Sequence, residues 1–184
     1  MELNMSCAGP ATDIQDESRQ KNTSCPAEIA GMAEIGLDPL IGDTIGQIGP
    51  ILKAVKEAVK IPVGVKPSAE LGYPRCVMAF KEIKDNGGDW ICSINAPIFL
   101  PPPDIYNGGK PPYKVCNVNT WAGVVGPWDR FLSFKHLAAC TMFVPGIDFK
   151  AVGGYVNPEH AIQAFMLGAK TVELSSAIFW KGYR

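Results

Sequence analysis

From Gly46 onward the chain alternates short apolar runs with amphipathic stretches. Between Gly46 and Val59, Ile48, Ile51, Leu52, Val55 and Val59 recur at helical spacing, while Lys53, Lys56, Glu57 and Lys60 fall on the opposite, wet face. Ile61 to Lys66 follows as a nearly continuous apolar run ending on a charge, the pattern of a strand covered on both faces. A second helix is predicted from Pro74 to Asp85, stopped by Asn86-Gly87-Gly88, and Trp90 to Ile94 forms the next strand, ending in Asn95. Residues 96 to 121 are rich in proline and glycine and read as a lid or binding loop. A helix is then expected from Pro127 to Thr141, and a strand from Phe149 to Val152 leads into Gly153-Gly154. Asn157-Pro158-Glu159 caps and opens a helix that Gly168 ends near Leu167, and Thr171 to Leu174 is the last strand, before Ser175-Ser176. Upstream, Met1 to Asn4 reads as a short strand entering a long polar loop.

Strands joined by crossover helices pair in parallel, so the pattern predicts an α/β fold with five strands and four complete crossover helices. A closed (β/α)8 TIM barrel takes about 250 residues. Residues 1–184 are therefore expected to supply only its last five or so βα units, one partial barrel domain with the first strands and the final helix missing. An open doubly wound sheet needs fewer residues. The barrel is preferred because residues suited to function stand at the end of every strand, where barrels carry their sites. These are Asn4 with Cys7, then Lys66, Asn95, Gly153-Gly154 and Ser175-Ser176.

Composition narrows the function classes. The 184 residues, 47% hydrophobic and 19% charged, suit one soluble globular domain. A formal net charge of -1 with a pI near 6.1 gives no footprint for nucleic acid or an anionic membrane. No apolar run reaches the roughly 20 residues of a spanning helix, and no secretory signal opens the chain, so a cytoplasmic protein is expected. The six cysteines contain no CxxC pair, so neither a zinc site nor an iron–sulfur ligand run is expected. Cys76, Cys92 and Cys140 lie in apolar periodic segments and read as small buried hydrophobes. His136 and His160 fall on helices and read as surface or internally satisfied residues rather than ligands.

ELNMSC, PVGVK, SIN, AGVVG, AVGGYVNPEHAIQAFMLGA and ELSSAI, in this order and spacing, resemble the C-terminal two-thirds of the FMN-dependent dihydropyrimidine and dihydroorotate dehydrogenases. The resemblance implies a flavoprotein of pyrimidine metabolism. It implies an oxidoreductase moving a hydride between FMN N5 and a CH–CH bond beside a carbonyl. By position it makes Asn4 a substrate amide, Cys7 the acid/base, Asn95 a second substrate amide and Lys66 a cation against the flavin ring. A free thiol titrates near pH 8.5, close enough to neutrality to give or take a proton. Gly153, Gly154, Ser175 and Ser176 would hold the FMN phosphate, with Gly123 and Gly126 of AGVVG as a third phosphate-side element. It further implies a small pyrimidine-like substrate, an iron–sulfur or NAD-linked electron-transfer module or subunit, and a homo-oligomer when complete.

Some residues depart from the family pattern. ELNxSC is usually followed by Pro and then Asn or His, whereas Ala8-Gly9 follows here, and Ser24-Cys25-Pro26 restores an SCP locally, making Cys25 a rival base. The family's Gly-Gly-x-Ser-Gly becomes Ala122-Gly123-Val124-Val125-Gly126, losing a hydroxyl, and Trp128 stands where a small residue is usual. The long segment from Pro97 to Trp121, with Tyr106, Tyr113 and Trp121, is positioned to reshape the substrate pocket. Two other readings remain open: a Schiff-base aldolase using Lys66 on the same barrel, and a non-catalytic partial barrel acting as a subunit or fragment.

Overall fold

A computed structural model describes residues 1–6, 41–99, 102–110 and 122–182. Cys7, Cys25, Cys116, Tyr113 and Trp121 lie outside the described residues. The main sheet has five strands: β1 (Glu2–Asn4), β2 (Gly64–Lys66), β3 (Trp90–Ser93), β6 (Asp148–Val152) and β7 (Thr171–Glu173). A two-stranded antiparallel pair, β4 (Ile98–Phe99) and β5 (Ala122–Gly123), stands apart. Five helices follow the strands of the main sheet in turn: α1 (Ile48–Ala58), α2 (Arg75–Asp85), α3 (Asp129–Phe143), α4 (Pro158–Met166) and α5 (Ser176–Lys181).

Every neighbouring pair in the main sheet is parallel, and each new strand is laid beside its predecessor without the order reversing. A doubly wound sheet reverses its order at a switch point. This one does not, which is consistent with an arc of a barrel.

Strand alternation divides the sheet into two faces. Leu3, Val65, Ile91, Phe149, Ala151 and Val172 point to one side and pack with Ile48, Leu52, Phe80, Ile83 and Leu137 of the helices in a single core. The other face carries Glu2, Trp90, Cys92, Lys150 and Glu173. Lys150 Nζ lies 3.4 Å from both Glu2 Oε2 and Glu173 Oε1. The three residues come from the first, fourth and fifth strands of the sheet. In a flat sheet the first and fifth strands would stand about 19 Å apart, at about 4.8 Å per step. Their carboxylates share one ammonium only because the sheet curls around this face. A parallel α/β arc of this shape is consistent with part of a TIM barrel.

The helices are fixed by local chemistry. Cys76, Ala79, Phe80 and Ile83 form the buried stripe of α2 at helical spacing. Glu82 on α2 also caps its neighbour: Oε2 accepts the Gly46 N–H at 2.8 Å and Oε1 the Gly49 N–H at 2.7 Å, satisfying donors that the first turn of α1 leaves free. Asp89 ties α1 to the entry of β2, accepting from Lys56 Nζ at 2.7 Å and the Val63 N–H at 2.6 Å. The Lys56 hydrogen bond, followed by that from Val63, holds its carboxyl below the usual range.

Three sequence expectations are adjusted. The proline- and glycine-rich loop contains β4, which pairs antiparallel with β5 just beyond its end, and these two-residue strands are too short for alternation to reveal. Asn157 does not cap α4 with its side chain, because its Oδ1 accepts from Lys181 Nζ at 2.7 Å instead. The last strand leads directly into a helix, α5, where the final helix was expected to be missing.

Candidate functional site

The five strands end on a common rim, and a cavity of about 110 Å³ opens there. Lys66, Asn95, Gly153, Gly154, Ser175 and Ser176 all line it, together with Glu173, Tyr155 and Asp129. Six residues singled out along 111 positions of sequence thus converge on one space because each follows, or ends, a parallel strand.

Asn4 joins this group from the end of β1. Asn95 Nδ2 donates to Asn4 Oδ1 at 3.4 Å and also to Ser6 Oγ, and Ser6 Oγ donates to Asn4 Oδ1 at 2.7 Å. Two carboxamides and a hydroxyl therefore form one partly exposed polar cluster, able to offer both donors and acceptors to a ligand amide. Ser6, inside the ELNMSC motif, carries no signal of its own in the sequence. Cys7 directly follows it in the chain.

Lys66 is half-buried at the end of β2, and its ammonium forms no ion pair or hydrogen bond among the described residues. Lys150, by contrast, is fully engaged. Partial burial works against its charge, but Glu2 and Glu173 outweigh that and hold the ammonium above its ordinary value. Its Nζ also sits 4.5 Å from the centre of the Trp90 ring, whose Nε1–H donates to Glu2 Oε2 at 3.1 Å. Cys92 donates to Glu173 Oε2 at 3.5 Å, and burial, followed by the Glu173 and Glu2 charges, pushes its thiol up, so it is inert. Glu2, Cys92 and Glu173 place ligand atoms within 4.8 Å of one another. The Lys150 ammonium already bridges both carboxylates of that cluster and offsets one of their two charges.

The glycines at the end of β6 are required by geometry. Gly153 and Gly154 have φ of 105° and 75°, and a Cβ on Gly154 would meet the Arg130 amide nitrogen at 2.5 Å and the Pro127 carbonyl at 2.8 Å. The first turn of α3 thus lies directly against this backbone. Gly126 belongs to the same contact, its carbonyl 2.9 Å from that Cβ position and its N–H donating to Asp129 Oδ2 at 3.0 Å. Gly123 stands further off, in β5, packed against Ala96. Neither Gly123 nor Gly126 lines the cavity.

A buried polar network backs the rim. Ser93 Oγ lies 2.5 Å from His136 Nδ1, and His136 Nε2 lies 2.8 Å from the Leu71 carbonyl. A carbonyl only accepts, so the ring proton sits on Nε2, and Nδ1 accepts from the serine. Desolvation holds His136 neutral, down at about 4. Ser133 Oγ donates to the Ser93 carbonyl at 3.4 Å and lies 2.8 Å from Tyr155 OH, carrying the network to the cavity wall. His136 is therefore an internally satisfied residue. His160, beside the Arg130 guanidinium, is held below its ordinary value by desolvation and by that cation.

No family model matches the chain. Curated proteins do. The chain is 29% identical over 170 residues to the catalytic subunit of dihydroorotate dehydrogenase B (NAD(+)) from Methanocaldococcus jannaschii, covering 88% of this chain and 48% of that protein. It is 30% identical over 164 residues to the subunit of the same name from Methanocella arvoryzae, covering 89% of this chain and 49% of that protein. The chain spans about half the length of these relatives. Along most of its sequence, then, it is similar to one half of a dihydroorotate dehydrogenase catalytic subunit.

Proposed function

We propose that the chain forms the catalytic part of a flavin-dependent oxidoreductase acting on the CH–CH bond of a dihydropyrimidine-like ring, of the dihydroorotate dehydrogenase type. The observation that carries this reading is the convergence of Lys66, Asn95, Gly153, Gly154, Ser175 and Ser176 on one cavity, with Asn4 hydrogen-bonded at its edge. The similarity to catalytic subunits of that name supports it.

The residues present fit FMN. Lys66, Ser175, Ser176 and the backbone of Gly153 and Gly154 line one cavity, and the Lys66 ammonium makes no ion pair among the described residues. Gly153, Gly154, Ser175 and Ser176 would hold the phosphate, with Gly123 and Gly126 supporting that loop, and Lys66 would face the ring. When bound, FMN supplies the acceptor for a hydride from the substrate carbon.

The chain's own residues supply the rest. Asn4 and Asn95 hold the amide edge of the substrate and fix the carbon that reacts. Cys7, as thiolate, takes the proton from the adjacent carbon while the hydride leaves its neighbour, so that one C=C bond forms and the thiol is left protonated. In the reverse direction the thiol gives that proton back. Lys66 would place its positive charge beside the bound cofactor. The relatives are named as catalytic subunits of an NAD-linked enzyme, which supports an electron-transfer partner here.

Purification tests this directly. The protein is expected to take up FMN, shown by visible absorbance and quenched flavin fluorescence, and to bleach on anaerobic addition of dihydroorotate or a dihydropyrimidine. A colourless protein that binds no added FMN would overturn the proposal.

A further inference from the structure

Asp129 is 1% exposed, yet it lines the cavity. Its two oxygens are not equivalent. Oδ2 accepts the Gly126 N–H, whereas Oδ1 is buried with no hydrogen-bond partner. An unsatisfied buried carboxylate oxygen is costly, so such a group either changes its protonation or waits for a ligand.

Its surroundings decide between these. Asp129 opens the first turn of α3, the turn packed against Gly153 and Gly154, and its Cβ lies 3.3 Å from where a Gly153 Cβ would sit. The charged and titratable groups around the cavity are Lys66 on β2, Glu173 on β7 and Tyr155 after β6, with Arg130 beside Asp129 on α3. None of them bonds its Oδ1. The Arg130 guanidinium is turned to His160 and to the rings of Phe131 and Phe134. Desolvation raises the carboxyl above its ordinary range, and the Gly126 N–H offsets part of that. With Oδ2 committed as an acceptor, the proton of the neutral acid belongs on Oδ1.

We propose that Asp129 is a ligand-binding residue of this cavity, a carboxylic acid that donates from Oδ1 to an oxygen of a phosphate monoester held at Gly153-Gly154. The assignment rests on the phosphate-side reading above and deepens it. A carboxylate beside a dianionic phosphate would repel it, whereas a carboxylic acid adds a donor. The site therefore binds phosphate with one shared proton, and affinity is lost as pH rises and that proton leaves.

The test compares FMN with riboflavin, which shares the ring and ribityl chain but lacks the phosphate, by fluorescence titration of the native protein and of Asp129→Asn from about pH 5 to 9. Asparagine retains a donor and an acceptor without a titratable proton. In the native protein the FMN-to-riboflavin affinity ratio, divided by that of Asp129→Asn, is expected to fall about tenfold per pH unit above the transition. Riboflavin affinity is expected to stay level. Asp129→Ala, with no donor, is expected to have a lower ratio than Asp129→Asn at every pH.

Parallel profiles for the native protein and Asp129→Asn, or equal affinities for FMN and riboflavin throughout, would overturn the assignment while leaving flavin binding intact. Binding of inorganic phosphate with the native pH dependence, followed by phosphorus NMR, but of neither flavin, would uphold the acid and remove the flavin reading. Binding of neither phosphate nor flavin would overturn both.

Discussion

At the scale of single residues, the proposed function divides the rim into groups that would hold and groups that would react. Replacing Cys7 by Ala is expected to lower kcat by about 10²- to 10⁴-fold, the usual worth of a general acid/base, while substrate still binds. Steady-state and single-turnover kinetics check this. Cys25→Ala is expected to leave both parameters near native, and a large kcat loss there would transfer the base to Cys25. Replacing Asn95 by Ala removes a donor from Asn4 and Ser6 and is expected to raise KM about tenfold, as one or two hydrogen bonds to substrate are lost. Gly154→Ala tests the backbone. With φ at 75° and the Arg130 amide 2.5 Å from the new Cβ, it is expected to cost about 1–3 kcal/mol in chemical denaturation and to abolish phosphate-dependent affinity.

Rim residues such as Lys66 and Asn95 were legible because each ends an apolar run on a polar group. Asp129 was not. An acidic residue in the first turn of a helix is ordinary, and only its burial against Gly153 sets it apart.

At the scale of elements, the contact of α3 with β3 and the rim runs through His136. The ring is buried and neutral, held down at about 4, whereas an unfolded histidine titrates near 6.5. Between these values the unfolded chain binds more protons, so stability is full above about pH 6.5 and falls as pH drops toward 4. The loss amounts to about 3 kcal/mol. Asp129, whose carboxyl is raised, acts in the opposite sense, losing its contribution as pH rises. The comparison is therefore between native protein and His136→Gln. Urea denaturation at several pH values is expected to show the acid slope in the first and its loss in the second.

The helices themselves followed from periodicity, α1 and α2 to within two residues of their expected ends. The hydrogen bonds of His136 did not, because its partners Ser93 and Leu71 lie 43 and 65 residues away. The pair β4–β5 escaped for a similar reason: two residues per strand carry no readable alternation, and the partners are 23 and 25 positions apart.

At the scale of the molecule, the parallel order of the main sheet was readable from the repeat of strand and helix, since crossover helices leave little choice. Its charged concave face was not foreseen. Glu2, Trp90, Cys92, Lys150 and Glu173 alternate with apolar neighbours along their strands, but strands so short read as covered on both sides. Lys150→Met is expected to destabilise the fold by about 1–3 kcal/mol, by leaving Glu2 and Glu173 to face each other without a cation. Lys150→Met combined with Glu173→Gln is expected to recover part of that loss. Thermal denaturation of the single and double variants measures both.

The shared ammonium has a kinetic consequence as well. Each strand of the main sheet pairs with the one before it in that sheet, at separations of 62 positions or fewer, so each pairing can form before the whole sheet is assembled. The bond from Lys150 to Glu2 spans 148 positions and closes only after the intervening units have docked. It is expected to act as a late latch, formed after the folding transition state. Its removal should therefore speed unfolding while leaving the folding rate nearly unchanged, a difference that the two limbs of a chevron plot separate.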